Sequence, residues 1–327
     1  MKESIIRVLG KGISARETFI LLTVIGLVVL FYFTSFKHRF LSSGVQDTIF
    51  TVAPELGIIV VGVTLLMIGG EFDLSVGSVS ALCALIMVEL YGRDVDPFLA
   101  LVMVLAVGLA TGMINGLATV KFGIPSFIVT MGMMMAWRGA IYVATAGVTI
   151  RFNVMKTHPA FYYLLVGKIG GIPVQLFWFV LITVAFALVL NYHEFGNRVY
   201  ATGGNKEAAK AMGIKTDQIK IYCFVLLGIL CALAGVMRAT RIRGFYAQQG
   251  SGMELMAIAA AVVGGTSLFG GTGTIIGAFL GVLVIIFLEY GLIVSRVPGF
   301  WFRAVLGVLI VIVAVVNKLM AKRRGLS

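Results

Sequence analysis

Long apolar runs recur along the whole sequence and limit the chain to very few kinds of fold. Each run is close to or longer than the roughly 20 residues that a helix needs to cross a bilayer. The runs are continuously apolar and do not alternate over about ten residues, as the strands of a membrane barrel do. Apolar residues make up 60% of the chain and charged residues 12%, which leaves too few polar groups to cover a soluble domain. We therefore predict an all-α polytopic membrane protein.

The apolar runs predict about ten transmembrane helices within a single transmembrane domain, residues 1–327. They cover approximately residues 18–36, 48–68, 75–91, 98–119, 125–146, 175–192, 221–237, 253–268, 274–294 and 302–316. A mixed loop at about 147–174 follows the fifth run, and a polar loop at 193–220 follows the sixth. The first run is too long for the core of a signal peptide and lacks an obvious cleavage site, which favours a retained anchor.

Lysines and arginines flank the apolar runs unevenly, and such residues favour the cytoplasmic side of a membrane. With a cytoplasmic N-terminus, ten spans place the C-terminus and the loop at 193–220 in the cytoplasm as well. The basic residues predicted to lie inside are Lys2, Arg7, Lys11, Arg16, Lys121, Arg198, Lys206, Lys210, Lys215, Lys220, Lys318, Lys322, Arg323 and Arg324. Arg238, Arg241 and Arg243 then fall outside, against the rule, unless the seventh or eighth run does not cross fully. We attribute much of the net charge of +12 to membrane orientation and not to nucleic-acid binding.

The polar loop at 193–220 contains a short helix with its own start and end. Asn205 predicts an N-cap, Glu207 lies near the positive end of the helix dipole, and Gly213 supplies a left-handed residue at the end. Thr216 predicts the N-cap of the next apolar helix. The residues alone leave open whether this short helix contacts another molecule or is a solvated connector.

Two ladders of glycines repeat every four residues in the fourth and ninth apolar runs. Small residues at this spacing let membrane helices approach each other backbone to backbone. The ladders consist of Gly108, Gly112 and Gly116, and of Gly273, Gly277 and Gly281. They predict tight helix packing and carry no chemistry of their own.

Two glycine-rich segments interrupt the apolar sequence and predict broken or re-entrant helices. The first, at 69–82, contains Asp73, a carboxylate that is costly at membrane depth and well placed to cap a helix beginning at residue 74 or 75. Irregular backbone at that depth occurs only inside protein or beside a water-filled cavity. This segment is therefore either a functional site or an ordinary polar turn at the membrane surface. The second segment, at 257–281, contains glycine pairs that open a helix in the same way.

Further ionisable residues lie within the apolar runs, and we expect Arg138 to pair with one of the acids. These residues are Glu55, Glu89, Arg138, Arg238, Glu254 and Glu289. The sequence contains no GxxxxGK[ST] motif, its three histidines are scattered, and no nucleophile stands beside a base at a recognisable spacing. The sequence therefore predicts a chain that is not an enzyme and binds no metal or cofactor.

Three motifs follow one another along the chain: GEFDLSVGS at 70–78, ATGGNKEAAKAMGI at 201–214 and MELMAIAAAVVGGTSLFGGTGTIIGA at 253–278. Together they resemble the permeases of bacterial ribose-type ABC sugar importers, whose members handle ribose, arabinose, xylose, galactose or autoinducer-2. The resemblance runs nearly from end to end. Glu71 and Phe72 depart from the usual Gly-Ile-Asp-Leu-Ser-Val-Gly signature, and Met256 replaces an acid found in many members. These departures leave the resemblance to the permease family intact.

The resemblance implies a multi-pass permease of the bacterial cytoplasmic (inner) membrane that forms the path for a monosaccharide or similar small polar solute. Its implied partners are ABC ATPase subunits, which bind ATP and Mg²⁺, a second permease chain, identical or related, and an external sugar-binding protein. The resemblance also implies that the loop at 193–220 holds a coupling helix seated on the ATPase. The residues of this coupling helix are Asn205, Lys206, Glu207, Ala208, Ala209, Lys210, Ala211, Met212 and Gly213.

Four polar residues are our candidates for the translocation pathway. They are Asp73, Ser75, Asn115 and Ser267. An alternative is a secondary transporter driven by protons or sodium, with an ion relay formed by Glu55, Glu71, Asp73 and Glu289. A second alternative is a scaffold subunit without a conducting path, which would tolerate changes at Asp73 and Ser75.

Overall fold

The computed structural model describes residues 15–323, apart from the side chains of residues 15, 16, 313, 314 and 316–323. Within this range the protein is almost entirely helical, as predicted, and its only strands are four of two residues each. Four of the basic residues predicted to be cytoplasmic, Lys2, Arg7, Lys11 and Arg324, lie outside the described residues.

Ten apolar helices coincide with the ten predicted runs. The helices in chain order are α1 (Ala15–Thr34), α2 (Ser43–Ile68), α3 (Val76–Gly92), α4 (Pro97–Lys121), α5 (Ser126–Thr145), α6 (Val154–Thr157), α7 (Pro159–Val166), α8 (Val174–Tyr192), α9 (Glu194–Gly204), α10 (Lys206–Ala211), α11 (Thr216–Ile242), α12 (Met253–Val263), α13 (Ile275–Val294) and α14 (Phe300–Arg323). Among the described residues, seven helices are long and apolar enough to span a membrane, and α3, α12 and the apolar part of α14 are shorter.

The remaining elements are short and lie mostly in the loop predicted at about 147–174. That loop contains α6, α7 and the hairpin formed by β2 (Lys168–Ile169) and β3 (Ile172–Pro173). A further strand, β1 (Ile150–Arg151), pairs antiparallel with β4 (Gly244–Phe245), which follows α11. A 3-10 helix at Phe36–Leu41 joins α1 to α2.

The core of the bundle is built around α2 and α11. The side chains of α2 are buried continuously from Ala53 to Ile68, and the helix packs against α8, α11 and α13. Helix α11 packs in turn against α3 and α4. An apolar helix that is enclosed on every side cannot show an amphipathic pattern, which is why α2 is uniformly apolar in sequence.

The first glycine ladder packs α4 against α11, as predicted. A Cβ added at Gly112 would lie 2.8 Å from the backbone carbon of Phe224, and one at Gly116 would lie 3.1 Å from the Cα of Ile221. Gly108 meets the backbone of Gly228 in the same way. The two helices therefore touch through their backbones along the whole ladder, as is typical of small-residue contacts in membranes.

The second ladder differs from the prediction at its first position. Gly277 and Gly281 of α13 pack on the backbone of Gly264 and Ala260 at the end of α12. Gly273 precedes α13, which begins at Ile275, and it lies against Thr266 and Ile68. Only Gly277 and Gly281 therefore form a helix-packing ladder, because Gly273 lies before the first residue of α13.

Helices α3 and α12 both begin within the depth of the bundle. The end of α2 lies beside Cys223 near the start of α11, whereas Ser80 in the first turns of α3 lies beside Gly235, near the end of α11. The loop after α11 folds back, so that Gly250 contacts Gly77 at the start of α3. Helix α12 therefore starts inside the bundle and ends at Val263, five residues earlier than predicted. This geometry fits the predicted broken or re-entrant segments.

The polar loop at 193–220 contains one more helix than predicted. Helix α9 ends at Gly204, and the expected short helix follows as α10. The prediction for Thr216 is wrong, because the cap position of α11 is Lys215 and the buried Thr216 hydroxyl has no hydrogen-bond partner in the described part of the chain.

Candidate functional site

Three of the four predicted pathway residues form one buried hydrogen-bonded group. The Oδ1 atom of Asp73 accepts from both the backbone N–H and the hydroxyl of Ser75, each at 2.6 Å. The Nδ2 atom of Asn115 donates to Asp73 Oδ2 at 3.0 Å and to Ser75 Oγ at 2.9 Å. All three residues are buried. Asp73 thus binds the amide just before α3, which begins one or two residues later than predicted, at Val76.

Side chains of α5 hold the irregular backbone between α2 and α3. Ser126 Oγ accepts from the N–H of Phe72 at 3.1 Å, and Thr130 Oγ1 accepts from the N–H of Leu74 at 3.0 Å. Unpaired amides at this depth would each cost several kcal/mol in a lipid environment. The break is therefore a supported structural feature and not a frayed helix end.

The fourth predicted pathway residue, Ser267, lies apart from the other three. It follows α12, where its N–H donates to Thr272 O at 2.9 Å and its hydroxyl accepts from Phe269 N at 3.0 Å. These contacts stay within its own loop. A pathway role for Asp73, Ser75, Asn115 and Ser267 stays a prediction.

A buried ion cluster explains the arginines that contradicted the orientation rule. Arg241 donates to both carboxylate oxygens of Glu55, from Nε at 2.5 Å and from Nη2 at 3.0 Å. Arg238 lies 4.0 Å from the same carboxylate, which is 2% exposed. Arg243 ends α11 with φ of +55° and stacks on the ring of Tyr162. Two of the three charges therefore serve interior pairing and not membrane orientation.

A second buried ion pair lies beside the first break. Lys220, near the start of α11, donates to the carboxylate of Glu71, and both side chains are almost completely buried. Glu71 is one of the residues that departs from the family signature. The pair connects the segment between α2 and α3 to α11. In the sequence, Glu71 precedes Asp73 by two residues.

An open cavity of about 320 Å³ lies between the start of α3, the middle of α5 and the start of α12. The expectation that Arg138 pairs with an acid holds only in part, because Glu254 lies in the same cavity and interacts with Arg138 electrostatically but forms no hydrogen bond with it. Its Nη1 atom donates to the backbone carbonyls of Ala247 and Gln249, each at 2.8 Å. The residues that line this cavity are Ser78, Met134, Met135, Arg138, Ser251 and Glu254.

Helix α10 has the caps that its sequence predicts. Asn205 Oδ1 accepts from the N–H of Ala208 at 2.9 Å, and Gly213 has φ of +80°. Lys206 is anchored to Asp217 of α11 at 3.1 Å. Apart from Lys206 and the buried Ala209, the segment from 205 to 213 is exposed. The helix therefore presents most of its surface outward while its geometry is fixed from within.

Helix α9 connects this exposed segment to both breaks. Gly203 packs directly on the carbonyl of Ile68, the last residue of α2, and on the backbone of Gly271. The N–H of Gly271 donates to Ile68 O at 2.8 Å, and the hydroxyl of Tyr200 donates to Gly273 O at 2.8 Å. Burial raises the pKa of Tyr200, which keeps the hydroxyl protonated as a donor. One helix thus contacts the segment before α3 and the segment before α13.

The sequence does not reveal several of these contacts. Glu55 and Arg241 are both recognisable as charges in or beside apolar runs, but they are 186 residues apart and their pairing was not predicted. Gly203 is an ordinary glycine in a polar loop and was not singled out. Ser78 and Ser251 lie in sequence among many small polar residues. Arg138 and Glu254 were detectable as ionisable groups in apolar runs, and such groups are site candidates by default.

Comparisons with known proteins agree with the resemblance drawn from the three motifs. A family model described as "Branched-chain amino acid transport system / permease component" matches residues 45–314. The autoinducer 2 import system permease protein LsrC of Photorhabdus luminescens is 35% identical over 282 residues, or 85% of this chain and 83% of that protein. The LsrC of Yersinia enterocolitica is 37% identical over 254 residues, or 77% of this chain and 69% of that protein.

The ribose import permease protein RbsC of Escherichia coli K12 is 34% identical over 260 residues, or 80% of this chain and 81% of that protein. No solved structure matches the chain. The apolar helices and these relatives together describe a multi-pass inner-membrane protein of an import system, and the expected similarity to ribose-type importer permeases is confirmed. The family model covers residues 45–314, which is most of the sequence. The chain therefore belongs to this family of transport-system permease components.

Proposed function

We propose that this chain is the transmembrane subunit of an ATP-binding-cassette importer and forms the path for a monosaccharide or similar small polar solute. An external binding protein delivers the solute, and a separate ATPase subunit, which binds ATP and Mg²⁺, drives the cycle. A second permease chain, identical or related, completes the path. The observation that carries the proposal is the contact of α9 with both broken segments, next to the exposed α10.

In this proposal the segment from Asn205 to Gly213 is the surface that the ATPase contacts. The segment is exposed, capped at both ends and tied to α11 through Lys206. Motion applied to α10 passes to α9, because the two helices are separated by Asn205 alone. Helix α9 passes it to Ile68 and Gly271 through backbone contacts that side-chain rotation cannot absorb.

The orientation follows from the same proposal. If the ATPase contacts α10, the loop at 193–220 lies in the cytoplasm. If all ten apolar helices cross the membrane, six crossings precede this loop and four follow it, which places both termini in the cytoplasm too. The lysines and arginines of the loop agree with that side.

The Asp73 group is the part of the pathway that we propose to open during the cycle. Its three members are enclosed in the described structure, and they adjoin the break that α9 contacts. A shift of the segment between α2 and α3 would expose Asp73, Ser75 and Asn115, while a shift of the loop after α12 would move Ser267. Such packed segments switch between discrete positions and do not deform continuously.

The solute class rests on the relatives. The relatives described above are, by name, permeases for ribose or for autoinducer 2. Their similarity covers most of this chain, whereas the branched-chain amino acid wording describes the family at large. We therefore propose a small polyhydroxylated solute, with branched-chain amino acids as the class to be tested against it.

Uptake experiments in cells test both the energy source and the solute. The wild-type chain with its genomic neighbours is expected to import a labelled aldose, and ATP depletion is expected to stop import while a proton or sodium ionophore does not. Import that survives ATP depletion but stops with the ionophore contradicts the proposal and supports the ion-coupled alternative. Import of L-leucine in place of every aldose contradicts the proposed solute class alone.

A further inference from the structure

The cavity between α3, α5 and α12 has the features of a solute-binding site, and none of its lining residues belongs to the Asp73 group. Its volume of about 320 Å³ lies at the lower end of the range for small-molecule sites. It opens on the face of α5, the span with the smallest buried share among the seven long helices of the described chain. Because a charged residue is costly against lipid, a face that carries Arg138 must border protein or water.

Arg138 is a fixed hydrogen-bond donor with unused capacity. Its Nη1 atom is held by the carbonyls of Ala247 and Gln249, which orients the guanidinium plane. Its Nε and Nη2 atoms make no hydrogen bond within residues 15–323. A guanidinium carries five N–H donors in a rigid fork, so several remain for a ligand in the cavity.

Ser78 supplies an independent indication of a ligand. It is 1% exposed, its hydroxyl has no partner in the described part of the chain, and the residue lines the cavity. Several other buried hydroxyls in the described chain also have no partner, but Ser78 is the one among them that lines this cavity, where a ligand group would satisfy it. The hydroxyl both donates and accepts, which matches a hydroxyl of a solute.

Glu254 completes the polar lining as an acceptor. Its Oε1 atom accepts from the N–H of Gly252 at 3.2 Å, which caps the start of α12. Its Oε2 atom lies against the first turn of α3, where a Cβ added at Gly77 would be 2.9 Å away. The starts of two helices therefore meet at this carboxylate, and the partial positive charge of each favours it.

We propose that this cavity binds the transported solute during its passage, and that the solute is a neutral polyhydroxylated molecule of about monosaccharide size. The inference rests on the proposed importer function. Arg138 donates to solute hydroxyls, Glu254 accepts from them, and Ser78 and Ser251 do both. The charges of Arg138 and Glu254 cancel, and backbone groups already use part of the hydrogen-bonding capacity of each side chain. The site therefore offers hydrogen bonds to a neutral solute and no net charge to an ionic one.

Two methionines give the site its apolar side. Met134 and Met135 line the cavity on α5, and a flexible thioether side chain packs well against the C–H face of a sugar ring. This combination of a few fixed polar groups with an apolar wall is typical of small-molecule sites. The site needs only weak affinity, because a solute held tightly would not leave the permease.

Cysteine protection tests the site directly. In the purified importer complex, Met135→Cys is expected to react with a charged methanethiosulfonate reagent, and the solute that the wild type imports is expected to slow this reaction. Val143→Cys lies on the same helix, is exposed and does not line the cavity, so the solute is expected to leave its reaction rate unchanged. Background reaction is expected to be low, because the native cysteines are buried.

A pair of serine variants in the Met135→Cys background measures the contribution of one contact. Ser78→Ala is expected to raise the solute concentration for half-protection by about 2- to 10-fold, the loss of one hydrogen bond. Ser80→Ala is the matched control, since Ser80 lies on the same helix, is equally buried and does not line the cavity. It is expected to leave the half-protection concentration unchanged.

The outcomes separate this inference from the proposed function. The panel for import and protection contains D-ribose, D-xylose, L-arabinose, D-galactose and L-leucine. An imported aldose that leaves Met135→Cys unprotected, or that protects Val143→Cys equally, overturns the site and leaves the importer function intact. Protection by L-leucine alone overturns the proposed solute class. Failure of the wild type to import any member overturns the proposed function, and this inference falls with it.

Discussion

Replacing Gly203 by alanine is expected to uncouple transport from ATP hydrolysis while leaving the chain assembled. A Cβ at this position would overlap the carbonyl oxygen of Ile68 and lie 2.8 Å from the backbone nitrogen of Gly271. Both neighbours are backbone atoms, so no side chain can rotate away and α9 must retreat. The retreat separates α9 from Ile68 and Gly271, whose backbone hydrogen bond of 2.8 Å ties the two breaks together.

The magnitude follows from three contributions. Overpacking costs about 1–3 kcal/mol, and a weakened backbone hydrogen bond adds about 0.5–1.5 kcal/mol. Alanine in place of a helical glycine returns about 1 kcal/mol through helix propensity. The net destabilisation of this contact is about 0.5–3.5 kcal/mol, which corresponds to roughly a 2- to 400-fold shift between the two positions of a switching segment.

The neighbouring glycine provides a matched control. Gly204 is also in α9, and a Cβ there would meet only the Cα of Gly271, at 3.9 Å. Gly204→Ala is therefore expected to keep or slightly raise the stability of the complex, because only the propensity gain remains. The two variants differ by one position and by whether the added methyl group meets backbone.

The assay is the ratio of solute imported to ATP hydrolysed in proteoliposomes that contain the complete importer. Gly203→Ala is expected to bind the ATPase, to hydrolyse ATP and to lower this ratio about tenfold, whereas Gly204→Ala stays within about twofold of wild type. A wild-type ratio for Gly203→Ala, or an equal loss in both variants, would refute coupling through this contact.

Three further substitutions test separate parts of the structure. Gly213→Val is expected to weaken ATPase binding, because a φ of +80° costs a residue with a side chain about 1–2 kcal/mol. Gly213→Asn is expected to be tolerated, and equal ATPase binding by the two variants in pull-down assays would contradict the capping role. Glu55→Gln is expected to lower the free energy of unfolding by about 3–5 kcal/mol, because it leaves the arginine partners of Glu55 unpaired. Glu89→Gln replaces an exposed residue and is expected to change the thermal unfolding temperature little. Similar unfolding temperatures for the two variants would refute the buried pair. Gly112→Val is expected to force two helices apart and reduce the folded yield, whereas Gly132→Val, with nothing within 4 Å, folds normally by size-exclusion chromatography.

The parts of the fold that depend on local physics were predictable. Continuous apolar runs locate the ten helices, because the backbone in a bilayer must satisfy its own hydrogen bonds. Asn205 and Gly213 cap α10 as expected, since a cap depends on a few neighbouring residues. The ladder at Gly108, Gly112 and Gly116 also lies at a close helix contact, as its spacing predicts.

The parts that depend on distant contacts were not predictable from one sequence. The pairing of Glu55 with Arg241 is set by the packing of α2 against α11, and Arg241 is an exception to the orientation rule because its charge is neutralised inside the bundle. Arg138 was expected to pair with an acid, and Glu254 does lie in the same cavity, but the hydrogen bonds of Arg138 go to two carbonyls of the loop that folds back after α11. Thr216 has the residue type of a cap, yet it is buried one position inside the helix.

Purification of the chain from its native host in a mild detergent tests directly whether it is the permease of an ATP-driven importer. We expect an ATPase subunit to copurify in stoichiometric amount, and we expect scrambling of residues 205–213 to abolish its retention without loss of the folded permease. A chain that purifies without an ATPase and, once reconstituted, moves solute with an ion gradient would contradict an ATP-driven importer.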